Sequence, residues 1–155
     1  MSICPKLHNL IDVAFSHARK LLADRDPVFP FLVTSLPGSA FAVRVYETPF
    51  ENALKAAKEV LAADPAIDCG VFGYHASDKA IDGRLGDAIV AVPYERGADK
   101  THEYFQELRR ASIWRCGELV KSPRKGEEHG TLFRPVPVPE FSPTGSNMRA
   151  CACLT

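Results

Sequence analysis

The chain has 155 residues, of which 46% are hydrophobic and 25% charged, and its 19 basic and 19 acidic side chains cancel. A chain of this size needs one core, which removes roughly 70% of the unfolded surface from water. The ordinary composition excludes the fibrous and disordered classes, and the zero net charge speaks against a general attraction to nucleic acid.

The cancellation is uneven along the chain. Residues 1–108 carry 11 basic and 15 acidic side chains, whereas residues 109–134 carry 7 and 3. Such polarity can steer a charged partner, although salt screens it beyond about 10 Å. The first twenty residues are amphipathic and lack the apolar core and small-residue cleavage site of a secretory signal. No apolar run reaches the length of a membrane span. The five cysteines, Cys4, Cys69, Cys116, Cys151 and Cys153, are odd in number and irregularly spaced, which argues against a disulfide framework. A reducing, cytoplasmic setting is therefore expected.

Leu7, Leu10, Ile11, Ala14, Ala18, Leu21 and Leu22 recur at the three- and four-residue steps of one helical face. They predict a first helix ended by Asp26-Pro27. Phe31 to Leu36 reads as a strand. Leu36-Pro37-Gly38-Ser39 offers proline and glycine at the centre of a type II turn, and Phe41, Val43 and Val45 alternate in a returning strand.

Thr48-Pro49-Phe50-Glu51 resembles a capping box, with Thr48 as cap and Glu51 reaching back to it. It predicts a second helix whose buried stripe is Phe50, Ala53, Leu54, Ala57, Val60 and Leu61, stopped at Asp64-Pro65. Ile67 to Ala76 and Asp87 to Val92 read as two further strands around Asp82-Gly83. Gly70-x-x-Gly73 lies inside a strand rather than at a helix start, so it signals a bulge or close packing under a helix and not a phosphate cradle.

Asp99 can cap a third helix in which Tyr104, Phe105, Leu108 and Ala111 share a face. Ile113 to Lys121 and Thr131 to Val136 then read as a hairpin around a loop from Ser122 to Gly130. The resulting expectation is an α+β, two-layer sandwich: a mainly antiparallel sheet covered by helices on one face, built from αββ units in sequence. One compact domain over residues 1–134 is followed by a proline-rich, extended tail over 135–155.

The densest titratable segment near a strand end is Tyr74 to Asp87. With Asp82-Gly83 as a two-residue hairpin turn, Asp78 would face Asp87. Like charges directly opposite are destabilising, so the pair must be exposed, bulged out of register, or sharing a proton. The last case would make an acid/base device with His75 beside it; an irregular solvated loop from Ala76 to Gly86 is the plainer reading.

Metal binding needs three or four ligands, and neither His-x-x-x-His nor Cys-x-x-Cys occurs, so no metal or cofactor is expected. His8 and Asp12, one turn apart, read as a solvated pair. Cys151-x-Cys153 sits in the tail, which holds no fixed geometry. Cys69 and Cys116 read as small hydrophobes. Arg109, Arg110, Arg124 and Lys125 with Trp114 mix cations and an aromatic ring as single-strand nucleic acid binders do, although Glu118, Glu127 and Glu128 interrupt them.

No catalytic constellation emerges. The leading expectation is a non-catalytic protein-interaction module, acting by self-association through a sheet edge or by partner binding of the inhibitor or immunity type. The alternatives are a small enzyme with an acid/base site at His75, Asp78 and Asp87, and a nucleic-acid binder using the basic 109–134 segment.

Overall fold

The computed structural model of the chain describes residues 5–98, 100–109 and 118–129. In chain order the elements are α1 (Pro5–Ala23), β1 (Phe31–Ser35), β2 (Phe41–Val45), α2 (Phe50–Ala63), β3 (Cys69–Ile81), β4 (Arg84–Glu95), β5 (Thr101–Arg109) and β6 (Glu118–His129). Among the described residues six strands form one open sheet in the order β2-β1-β3-β4-β5-β6, with every neighbouring pair antiparallel. The α+β class, with an antiparallel sheet covered by helices, holds, although the helices lie on both faces and not on the one face expected, because α1 and α2 pack on alternate strand positions.

The helices divide the sheet's two faces between them. Phe31, Val33, Cys69, Val71, Ile89 and Ala91 pack with Leu7, Leu10, Ile11, Ala14, Phe15 and Ala18 of α1. Their strand neighbours Leu32, Phe72, Val90 and Val92 pack with Ala53, Ala57 and Leu61 of α2. Successive strand side chains point to opposite faces, so the two clusters lie on opposite sides of the sheet. Covering both faces suits the unbroken apolar runs Phe31-Leu32-Val33 and Ala88-Ile89-Val90-Ala91-Val92, which a sheet with one wet face could not hide. Burial of large aliphatic and aromatic side chains such as Phe15, Phe31, Phe72 and Leu61 stabilises by roughly 2 kcal/mol each.

Helix α1 ends before Asp26-Pro27, at Ala23. Arg25 takes the left-handed conformation at φ 59°, Asp26 N–H bonds Leu21 C=O at 2.8 Å and Arg25 N–H bonds Leu22 C=O at 3.2 Å. These two bonds make a Schellman cap with a non-glycine residue at its left-handed position. Helix α2 starts one residue later than the capping-box reading requires. Pro49 is its N-cap, with no side-chain cap hydrogen bond, and Thr48 lies outside the helix. Its C-terminus is held instead by a distant arginine. Arg96, just after β4, donates to the carbonyls of Leu61 (3.1 Å), Asp64 (2.9 Å) and Ile67 (2.9 Å).

Gly38 has φ 77°, as the second central position of a type II turn requires. The glycines at 70 and 73 serve close packing. A Cβ on Gly70 would meet the Val33 carbonyl oxygen at 3.0 Å, and one on Gly73 would enter the Phe31 ring.

The third helix expected after Asp99 is a strand instead. Thr101–Arg109 pairs with β4 through Val90↔Phe105 and Ala91↔Tyr104. Phe105 therefore faces the α2 side of the sheet and Tyr104, Gln106 and Leu108 the other; pairing with a buried neighbour outweighs the helix-like spacing. The loop expected from Ser122 to Gly130 is likewise strand through His129, paired with β5 from Thr101↔His129 to Arg109↔Glu118. Residues 113–117, residues 131–136 and the tail from 135 lie outside the described residues.

Candidate functional site

Asp82 and Gly83, at φ 50° and 80°, form the two-residue turn between Ile81 and Arg84, so β3 and β4 make a continuous hairpin rather than strands flanking an irregular loop. The register then shifts. Lys79 faces Gly86 and Ala76 faces Ala88, leaving Ser77 and Asp78 together opposite Asp87. This two-against-one arrangement is a β-bulge.

Asp78 shares the place opposite Asp87 with Ser77, and its side chain is exposed. His75 sits opposite Ile89, so Asp87 is its diagonal neighbour, and His75 Nε2 lies 3.2 Å from Asp87 Oδ1. Both belong to the α1 side of the sheet. His75 and Asp87 thus meet within hydrogen-bond range, while the exposed Asp78 stands in the bulge across from Asp87. The His-Asp contact is open to solvent and can hold the imidazole in one orientation.

On the other face, beyond the cover of α2, lies a polar group that involves four strands. Lys79 pairs with Glu103, Arg84 Nη2 is 2.9 Å from Glu107 Oε1, and Arg124 Nη1 is 3.0 Å from Asp82 Oδ1. The Lys79 ammonium and the Arg124 guanidinium sit 5.1 and 5.0 Å from the centre of the Phe105 ring. Sequence reasoning missed this set because its partners lie up to 42 positions apart. Gly126 belongs to it as well, since a Cβ there would come within 2.6 Å of Glu103 Cγ.

Of the residues considered for nucleic acid, Arg124 is committed to Asp82 and Phe105. Lys125 is exposed on β6, Arg109 ends β5, and Arg110 and Trp114 lie outside the described residues. His8 and Asp12 are exposed on α1 and Cys69 is buried in the α1-side core, while Cys116, Cys151 and Cys153 lie outside the described residues. Among the described residues no group of three metal-ligating side chains occurs, and no helix is long and apolar enough to cross a membrane.

The sheet's two rims differ. Strand β6, with the sequence ELVKSPRKGEEH, carries Lys121, Pro123, Arg124, Lys125 and three glutamates, and its pairing is interrupted twice. Charges, proline and irregularity are the devices that protect an edge. Strand β2, with the sequence FAVRV, has a regular register and one charge. That charge is turned inward, since Arg44 Nη1 donates to Thr34 Oγ1 of β1 at 3.2 Å. Phe41 and Val45 are 47% and 43% exposed, with Leu36 nearby. No family model, curated protein or solved structure matches this chain.

Proposed function

We propose that this protein is a non-catalytic interaction module that associates with protein, first of all with its own copy, through the open edge of β2. The observation that carries this reading is the contrast between the rims: an apolar, regular β2 beside a charged, irregular β6. An unprotected edge offers a row of backbone donors and acceptors to another strand, and exposed Phe41 and Val45 add apolar area that association would bury. The proposal includes a cytoplasmic setting, supported by the odd cysteine count and by Cys69 packing as a core residue.

Sedimentation or light scattering of the purified chain from micromolar to millimolar concentration tests it. A concentration-dependent rise in mass, abolished in Val45→Lys, is the expected result. A constant monomer mass, unchanged by the substitution, removes self-association.

One contact favours a second reading, a small enzyme using the pair His75 and Asp87. Its test is a hydrolase and isomerase substrate screen on the wild type and on His75→Ala. Activity absent from both removes this reading, and activity lost only in the variant supports it.

A further inference from the structure

We infer a specific partner geometry for the β2 edge: a second copy pairs with it antiparallel about a two-fold axis at Val43, so that Phe41 faces Val45 of the other copy. This inference rests on the edge-association reading above and adds its register.

The hydrogen-bond phase of β2 comes first. Tyr46 N–H bonds Pro30 C=O at 2.8 Å, and Leu36 N–H bonds Ala40 C=O at 3.0 Å. Hydrogen-bonded and non-bonded pairs alternate along an antiparallel ladder, so Leu32↔Arg44 and Thr34↔Ala42, which lie between, are also bonded pairs. The backbone groups of Ala42, Arg44 and Tyr46 are therefore spent on β1. Those of Phe41, Val43 and Val45 point out of the sheet.

The side chains follow the same alternation. Phe41, Val43 and Val45 oppose Ser35, Val33 and Phe31, which places all three on the α1 side of the sheet. A two-fold axis perpendicular to the sheet keeps that side common to both copies. The three residues with outward backbone groups are thus also the apolar ones, and the two copies present them to each other on one continuous face.

Among two-fold pairings, one centred on Val43 uses all of these groups. Val43 meets its own copy and Phe41 meets Val45 twice, each facing pair exchanging two hydrogen bonds. Arg44 then faces Ala42. Centring on Arg44 would set two guanidinium groups directly opposite each other, which is destabilising. Centring on Ala42 leaves Val45 without a facing partner of the right phase, and a shift that sets odd against even positions mismatches every donor.

Cysteine pairing reads the register directly, in a chain with Cys4, Cys116, Cys151 and Cys153 replaced by serine. On mild oxidation Val43→Cys should cross-link to itself. Phe41→Cys and Val45→Cys should each stay uncross-linked alone but join when mixed. In this register each of the latter lies about 13 Å from its own copy, beyond disulfide reach. Val43→Pro, which removes only an outward-facing N–H, should abolish the dimer while the monomer still unfolds cooperatively.

Self-cross-linking of Phe41→Cys or Val45→Cys in a dimeric chain overturns the register but leaves edge association standing. A dimer that survives both Val43→Pro and Val45→Lys places the contact elsewhere and overturns the register with it. A chain that stays monomeric throughout removes both readings.

Discussion

The ring of Phe31 fills the space beside Gly73 that a side chain there would need: a Cβ on Gly73 would come within 2.7 Å of both Cε1 and Cε2. The two residues face each other across β1 and β3. The missing side chain lets the ring settle onto β3, where it also meets the His17 ring of α1 at 4.6 Å and 64°. Three elements are thereby registered on one aromatic group, with α1 packed above it.

Gly73→Ala is accordingly expected to destabilise the fold by about 2 kcal/mol, because the ring is fully buried and has nowhere to retreat. Urea unfolding measures this. In a Phe31→Leu background the alanine should cost clearly less, so strictly additive costs in the double-mutant cycle would show that the two sites are uncoupled.

The guanidinium of Arg96 gathers three carbonyls at the end of α2 and in the following turn. Charge-assisted hydrogen bonds of this kind contribute about 2 kcal/mol, aided by the negative end of the helix. Arg96→Ala should lower stability by that amount and speed amide exchange in the last turn of α2. Arg96→Lys should recover little, since a point ammonium cannot reach the three acceptors in the same geometry.

Arg25 holds the left-handed position of the α1 cap at φ 59°. Glycine adopts this conformation without the Cβ penalty of roughly 1 kcal/mol, although it loses more freedom on folding. Arg25→Gly is expected to raise stability by about 0.5 kcal/mol in thermal or chemical unfolding. A loss of more than that amount would mean that the arginine side chain contributes a contact of its own.

Burial, with Lys20 nearby as a lesser cause, holds the His17 imidazole below its ordinary pKa of 6.5. Its Nε2 is buried and has no hydrogen-bond partner among the described residues, and its ring lies against Phe31. The unfolded chain therefore binds more protons at this site than the folded one near and just below pH 6.5, and stability should rise with pH across that window. Denaturant midpoints at pH 5.5 and 7.5, compared between wild type and His17→Leu, isolate the contribution: the leucine variant should show a shallower dependence. An identical slope in both proteins would assign the effect to other groups.

Much of the fold is legible in the amino-acid order, because local signals agree with the final packing there. Asp26-Pro27 and Asp64-Pro65 bracket the helices, Pro37-Gly38 marks the first hairpin turn, and Asp82-Gly83 marks the second. Legibility fails where a long-range partner decides. Tyr104, Phe105 and Leu108 have helix-like spacing, but β4 draws them into the sheet, where Phe105 and Tyr104 serve opposite faces. The bulge at Ser77 and Asp78 changes the parity of β3, so Lys79 and Ile81 share a face with Phe72 despite the odd offset. An unbroken hairpin sets Asp78 opposite Asp87 and His75 farther along the same arm; the bulge, which the local pattern does not announce, is what makes His75 and Asp87 diagonal neighbours at 3.2 Å. The contact of Lys79 with Glu103 and that of Asp82 with Arg124 link residues from different hairpins, which no local pattern announces.

If copies pair at β2 as proposed, the difference between the two rims would also set a ceiling on assembly size. A unit with two adhesive rims could add neighbours without end and grow into a fibril. The far rim is β6, with two lysines, an arginine, three glutamates and a proline in its sequence, so a pair joined at β2 as proposed would carry a charged border at both ends and would have no second β2 edge from which to grow.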